Sequence, residues 1–147
     1  MKQAIFTIKG TQRVDGDCDT VEFVTQGRIG RRGEELLLSY EEGQGSGFEG
    51  SKTYLHVRSD GTLTVKRSGA VESTLIIQKN QKNISFYPAP QGVLALEIFG
   101  ESVEHKLNEE GGCLSATYTL SNEGRLISRN TIEIDVTVQE EETKCPL

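Results

Sequence analysis

The fold is decided by residues 53–67, which read TYLHVRSDGTLTVKR. Apolar side chains occupy alternate positions on both sides of the central Ser-Asp-Gly, which is the period of a β-strand with one buried face. A two-residue loop at Asp60-Gly61 would pair the apolar face of one strand with the polar face of the other. A three-residue loop, with Gly61 in the left-handed conformation, keeps the apolar faces together. It pairs Val57 with Leu63, Leu55 with Val65 and Thr53 with Arg67.

The same test at residues 122–124, Asn-Glu-Gly, also favours a three-residue loop. The register that follows pairs Leu120 with Leu126, Tyr118 with Ser128, Ala116 with Asn130 and Leu114 with Ile132. A third turn is predicted at residues 79–83, between two further apolar runs. Hairpins that follow one another in this way predict a consecutive antiparallel meander.

Alternation recurs along the chain and is clearest in residues 132–138, IEIDVTV. Residues 93–107 alternate on both sides of Gly100, so we predict one long strand with a bend or bulge there. The runs predict an all-β protein of roughly eight to ten strands, at the spacing of sandwiches and barrels. A meander of that many strands closes into an up-and-down barrel, since closure removes its edges. The interior of such a barrel is either packed or holds one small ligand.

Composition narrows the classes of protein and partner. The chain has 147 residues and a formal net charge of −6, and we expect one barrel domain over residues 1–139 and a short polar tail over residues 140–147. We expect no nucleic-acid partner because there is no basic stripe, and no membrane span because no long apolar run occurs. Cys18, Cys113 and Cys145 are far apart and lack metal-ligand spacing, which favours reduced thiols in the cytoplasm.

Polar side chains fall on the apolar faces of the predicted strands. By alternation Tyr40, Glu42, Thr53, Arg67, Tyr118 and Asn130 all face the barrel interior. A buried guanidinium must be paired, and Glu42 is the nearest plausible carboxylate. Two interpretations stay open: a structural ion-pair and hydrogen-bond network, or a site where Arg67 meets the anionic group of a partly apolar ligand.

The sequence predicts no enzyme, because it has no nucleophile motif, no metal-ligand set and no cofactor fingerprint. If the protein were an enzyme, Glu42 and His105, which alternation also places inward, would be the first candidates for a general base. The glycine-rich residues 41–51, EEGQGSGFEGS, are interpreted either as a lid over one barrel mouth or as a loose turn.

Several segments, taken in order, resemble the DUF1934, or YwiB-like, family of small bacterial proteins. They are LLLSYEEGQGSGFEGSKTYLHV at 36–57, LTVKRSG at 63–69, FYPAPQG at 86–92, LSATYTL at 114–120 and ISRNTIEIDV at 127–136. The resemblance spans residues 5–138 and implies a lipocalin-like (calycin) antiparallel barrel. The family has no established activity, so the resemblance implies a fold and no reaction.

The family pattern falls on Tyr40, Glu42, Thr53, Arg67, Gly69, Tyr87, Gly92, Tyr118 and Asn130. This adds Tyr87 to the candidate ligand-binding residues. The sequence departs from the family at Ala89 and Gln91, where a threonine and an aromatic residue are usual. We therefore expect a cytoplasmic bacterial barrel that binds a small, partly apolar, anionic ligand without a cofactor or metal. The alternative is a non-enzymatic structural or protein-interaction module with a filled barrel. We also expect that the protein can form a homodimer, since symmetric dimers are common.

Overall fold

The computed structural model describes residues 1–43, 48–70, 72–90 and 92–139, except for the side chains of residues 87–89. The predicted tail at 140–147 lies outside these residues. Within them the chain forms ten β-strands, and no helix is long and apolar enough to cross a membrane. The strands are β1 (Lys2–Val14), β2 (Asp17–Arg32), β3 (Glu35–Glu41), β4 (Ser51–Val57), β5 (Leu63–Gly69), β6 (Ser73–Ile77), β7 (Lys82–Ala89), β8 (Gly92–Asn108), β9 (Gly111–Asn122) and β10 (Arg125–Val138).

The ten strands form one antiparallel sheet in the order β6-β5-β4-β3-β2-β1-β10-β9-β8-β7. Strands that follow one another in the chain pair with each other, except β6 and β7. In addition, β1 pairs with β10 over residues 4–13 of β1. The result is a nearly closed barrel whose edges are β6 and β7. The predicted all-β, antiparallel, up-and-down barrel is therefore confirmed. We call the end that carries the β1–β2, β3–β4, β5–β6, β7–β8 and β9–β10 connections the upper end.

The hairpin at residues 53–67 has the predicted register. Thr53 pairs with Arg67, Leu55 with Val65 and Val57 with Leu63. Gly61 has a φ of 92°, and its amide donates to the carbonyl of Arg58 at 2.9 Å. The alternation rule thus identified both the loop length and the residue that needs the left-handed conformation.

We expect Gly61→Val to lower the free energy of unfolding by about 1–3 kcal/mol, because a β-branched residue is strained at positive φ. No heavy atom lies within 4 Å of a Cβ built at Gly61, so the loss reports conformation and not crowding. Urea unfolding measures it. Gly10→Val is the control, since Gly10 has the same open space without a positive φ. Equal stability of both variants would contradict the three-residue loop.

The predicted register of the second hairpin is wrong. Asn122 pairs with Arg125, so the loop has two residues, and Glu123 and Gly124 have φ values of 52° and 78°. Such a loop matches the natural twist of the two strands. The register then shifts between Leu126 and Ser128, which places a bulge at Ile127 and brings the apolar faces back together. The resulting pairs are Leu120 with Ser128, Tyr118 with Asn130, Ala116 with Ile132 and Leu114 with Ile134.

The turn predicted at residues 79–83 is present, but the strands beside it do not pair. Strands β6 and β7 are the two edges of the sheet, and we call the line between them the seam. The Ser85 hydroxyl donates to the carbonyl of Thr74 across it. At the lower end β8 closes the seam, where the Asn80 amide donates to the Gly100 carbonyl at 2.7 Å.

Strand β8 is one long strand, as predicted, and its register shifts between Gly100 and Ser102. The extra residue is Glu101, directly after Gly100, so the bulge expected at this point of the strand is confirmed. The inward side chains pack into one apolar core that fills much of the barrel. Its most deeply buried members include Phe6, Ile29, Leu38, Leu55, Leu63, Ile77, Ile98, Leu114 and Ile134.

Candidate functional site

Three inward side chains form a row across neighbouring strands near the upper end. Tyr40 of β3 lies opposite Thr53 of β4, and Thr53 lies opposite Arg67 of β5. All three are buried. Because directly opposite residues of antiparallel strands point to the same face, the alternation that places leucines inward on these strands also places these polar groups inward.

Glu42 joins the row just beyond the end of β3, and its side chain is only 3% exposed. Its Oε2 accepts a hydrogen bond from the Thr53 hydroxyl and one from Arg67 Nε at 3.4 Å. The predicted pairing of Arg67 with Glu42 is therefore present. Two donors and an opposite charge compensate the buried carboxylate for much of its lost hydration.

Tyr40 packs behind this pair. Its ring contacts Phe6, with centroids 5.5 Å apart, and Phe23, with centroids 6.3 Å apart. Burial, together with the negative charge of Glu42, raises the pKa of the Tyr40 phenol well above its usual value. Tyr40 is therefore a neutral phenol at physiological pH. Its hydroxyl is hydrogen-bonded with Thr53, so Tyr40 belongs to the same network.

On its other side, Arg67 meets the loop between β3 and β4. The Arg67 Cζ lies 3.9 Å from the centroid of the Phe48 ring, a cation–π distance. The Ser51 amide donates to the Phe48 carbonyl at 3.1 Å, which ties the end of this loop to β4. Of the glycine-rich stretch predicted as a lid or a loose turn, residues 44–47 lie outside the described residues, and Phe48 covers Arg67.

Above the core, a cavity of about 580 Å³ occupies the upper end of the barrel. Its wall carries three of the predicted residues, Arg67, Tyr118 and Asn130, and further polar residues: Thr11, Gln12, Asp19, Ser73 and Thr131. Asn130 Nδ2 donates to the Ser128 hydroxyl at 3.0 Å. The apolar wall includes Val21, Phe48, Leu75, Leu94, Leu96, Leu120, Ile127 and Ile132.

The structure thus divides the predicted residues into two overlapping groups. Tyr40, Glu42, Thr53 and Arg67 form a buried network, while Arg67, Tyr118 and Asn130 line the cavity. Arg67 belongs to both groups. Tyr87 lies in β7 opposite Leu94, a cavity residue, but its side chain lies outside the described structure.

His105 lies on the apolar face of β8, as predicted, but it is not buried in the barrel interior. His105 lies opposite the buried Leu114 in the ladder but is exposed, and its Nδ1 accepts a hydrogen bond from the Leu107 amide at 3.3 Å. It lines none of the 580 Å³ cavity. Alternation names the face of a strand, whereas exposure also depends on what covers that face.

Sequence reasoning missed several cavity residues, among them Asp19, Val21, Phe48 and Ile127. Phe48 was available as a signal, since it is the one aromatic residue in an otherwise glycine-rich and acidic stretch. Ile127 was not, because a bulge changes its register without altering the surrounding pattern. Among the residues that the structure describes, no three His, Cys, Asp or Glu side chains are grouped in a way that would hold a metal ion.

Fold and site together define a class: a small antiparallel β-barrel with a buried ion pair beneath a cavity at one end. The chain matches the model of DUF1934, a domain of unknown function, over residues 6–134, and it belongs to that family. It is 31% identical over 113 residues to a protein of Bacillus subtilis (strain 168) described as the uncharacterized beta-barrel protein YwiB; the match covers 77% of this chain and 78% of that protein.

The crystal structure of the ywiB protein from Bacillus subtilis has a similar fold. It superposes with a TM-score of 0.75 at 25% identity, and the match covers 91% of each chain. The family resemblance predicted from the sequence motifs is therefore confirmed. Family membership establishes a bacterial β-barrel protein of unknown function.

Proposed function

We propose that this barrel binds a small molecule with an apolar body and one anionic or strongly hydrogen-bond-accepting group. The observation that carries the proposal is the position of Arg67, a buried guanidinium on the wall of an otherwise largely apolar cavity. Small-molecule sites have this composition: an apolar lining with a few placed polar groups that orient the ligand.

The size of the cavity supports the proposal. Ligand pockets of proteins usually hold about 300–1,000 Å³, and this cavity holds about 580 Å³. Leu75, Leu96 and Ile132 provide apolar contact area on its wall. Tyr118 and Asn130 lie on the same wall and offer groups that can donate or accept hydrogen bonds.

The buried network supports the same role by orienting the guanidinium. Glu42 accepts a hydrogen bond from Nε of Arg67. Because the guanidinium is planar, this contact also fixes the direction in which its two Nη groups point. Since Glu42 balances the formal charge of Arg67, the ligand group is recognised by directional hydrogen bonds more than by net positive potential. Phe48, stacked on the guanidinium, supplies an aromatic surface beside that group.

A matched pair of fluorescent probes tests the proposal: 1-anilinonaphthalene-8-sulfonate, and N-phenyl-1-naphthylamine, which is the same molecule without the sulfonate. We expect the wild-type protein to bind both. Val21→Trp should weaken both by at least about tenfold, because Val21 lines the cavity and a larger side chain fills it. Val24→Trp is the control, since Val24 lies on the outer face of the same strand and is 66% exposed.

The role of Arg67 is tested by the ratio of the two affinities. Arg67→Lys keeps the charge but loses the planar fork of donors. We expect it to weaken the sulfonate probe by roughly 10–100-fold and to leave the neutral probe unchanged. The proposal fails if neither probe binds, or if the Val21 and Val24 variants bind alike. An unchanged ratio in Arg67→Lys would remove Arg67 from recognition.

We further propose a calycin-like ligand barrel that works in the cytoplasm. Support comes from Cys18 and Cys113, which are both exposed and free in the structure, as is usual in a reducing compartment. The competing function is a structural or protein-interaction module with a filled barrel. It is favoured by the Glu42–Arg67 pair, in which each buried charge has a partner of opposite sign without a ligand.

A further inference from the structure

A second feature of the molecule lies on the outer surface, beside the seam. The residues are Ile76, Ile84, Phe86, Val93 and Phe99, which we call the seam patch, and each is between 37% and 72% exposed. Strand register places Ile84 opposite Glu97, Phe86 opposite Ala95 and Phe99 opposite Lys82, all on the outer face. Ile76 and the pair Ile84 and Phe86 line one groove from opposite sides of the seam.

The size of the seam patch points to a macromolecular partner. Large apolar side chains carry on the order of 150–250 Å² each, so the exposed parts of these five sum to roughly 450 Å². The largest apolar patch of a typical monomer is about 300–600 Å² and is often functional. A standard interface buries about 800 Å² per partner, of which roughly 56–65% is apolar. The seam patch is therefore about as large as the apolar part of one such interface.

The position of the patch supplies a physical reason for covering it. Strands β6 and β7 are the edges of the barrel sheet, and natural proteins cover, shorten or charge exposed edges because unpaired strands invite aggregation. The seam is bridged by the side-chain hydrogen bond from Ser85 to Thr74, with no ladder between the two strands. A partner seated on the outer face would shield both edges at once.

The charges around the patch favour a second copy of this chain. The chain carries a formal net charge of −6, which opposes self-association over most of its surface. Around the seam patch, positively and negatively charged side chains are both present. Lys66 and Glu72 line the groove, and Lys82 and Glu97 form an ion pair at 3.7 Å on the same face. In a two-fold contact each copy presents the same patch to the other, so a face with mixed charges can complement itself.

We propose that the seam patch is a homodimer interface, in which the outer faces of β7 and β8 from two copies pack together around a two-fold axis. Ile84, Phe86 and Val93 form its apolar centre, and the charged residues beside them form the rim. This inference does not depend on ligand binding, because the side chains of the seam patch lie on the outer face of the barrel. Arg67 lines both the cavity and the groove at the seam, so none of the substitutions that test the dimer is made at Arg67.

Sedimentation velocity on the full chain over a range of protein concentrations tests the proposal. We expect a wild-type dimer, and we expect Phe86→Glu and Val93→Glu each to raise the dimer dissociation constant by at least about 100-fold, because a two-fold interface buries each substituted side chain twice. Val24→Glu is the matched control: it introduces the same charge at an equally exposed valine on β2 and should leave the dimer intact.

Two results would overturn the proposal: a wild-type monomer throughout the concentration range, or a dimer that survives both seam-patch substitutions. Circular dichroism and thermal unfolding of each variant distinguish a lost interface from a lost fold. An independent readout is Val93→Cys in a chain whose native cysteines are replaced by serine. In the proposed dimer this cysteine forms an intermolecular disulfide on oxidation, whereas Val24→Cys in the same background does not.

Discussion

Arg67→Ala is expected to lower the free energy of unfolding by about 3–5 kcal/mol, because it removes one partner of a buried ion pair. The carboxylate of Glu42 would keep its hydrogen bond from Thr53 but would lose the opposite charge. Both side chains are at most 10% exposed, so water cannot readily replace the guanidinium. Chemical unfolding at neutral pH, monitored by circular dichroism, measures the loss.

Two controls separate the stranded charge from the loss of a large side chain. Arg67→Ala combined with Glu42→Gln should recover part of the stability, since a neutral amide is cheaper to bury than an unpaired carboxylate. Arg129→Ala removes an arginine from an exposed pair, in which Arg129 donates to Glu101 through both Nε and Nη2. It should change stability little, because exposed pairs contribute little.

If Arg67→Ala unfolds like the wild type, the network is not structural. Arg67 would then contribute little to stability, and ligand recognition alone would explain its position beside the cavity. If the variant is strongly destabilised and Arg67→Lys still loses the preference for the sulfonate probe, both roles hold for the same side chain. The two measurements thus decide between the two interpretations that the sequence left open.

Gly100→Ala is expected to have the second large effect, a loss of roughly 2–4 kcal/mol in stability through overpacking. A Cβ at this position would lie 2.2 Å from the carbonyl oxygen of Gln78 and 2.7 Å from its carbonyl carbon. These are backbone atoms at the closed lower end of the seam and cannot rotate away. The added methyl group therefore forces apart the contact by which β8 closes the barrel.

The control is Gly10→Ala, because no heavy atom lies within 4 Å of a Cβ built at Gly10. It should leave the unfolding midpoint unchanged or raise it slightly, since alanine lowers the entropy of the unfolded chain. Hydrogen exchange locates the damage in Gly100→Ala: the amide of Asn80, which donates to Gly100, should lose protection first. Equal stability of the two variants would show that the closure at Gly100 is not required.

The buried network was largely predictable because three of its four residues, Tyr40, Thr53 and Arg67, lie on regular strands. Alternation with a period of two is local, so Leu36 and Leu38 suffice to place Tyr40 inward, and Leu63 and Val65 suffice to place Arg67 inward. The hairpin register then brings Thr53 between them. The pairing with Glu42 followed from the cost of burying an unpaired guanidinium.

The sequence by itself determined an all-β antiparallel meander, the hairpin that turns at Gly61 and the inward faces that carry the buried network. These follow from alternation and turn chemistry, which involve neighbouring residues only. Tertiary structure alone decided the bulge at Ile127, the seam between β6 and β7, the exposure of His105 and the contact of Phe48 with Arg67. Each of these depends on how distant strands close around a shared core. No local sequence pattern predicts which two neighbouring strands stay unpaired when the barrel closes.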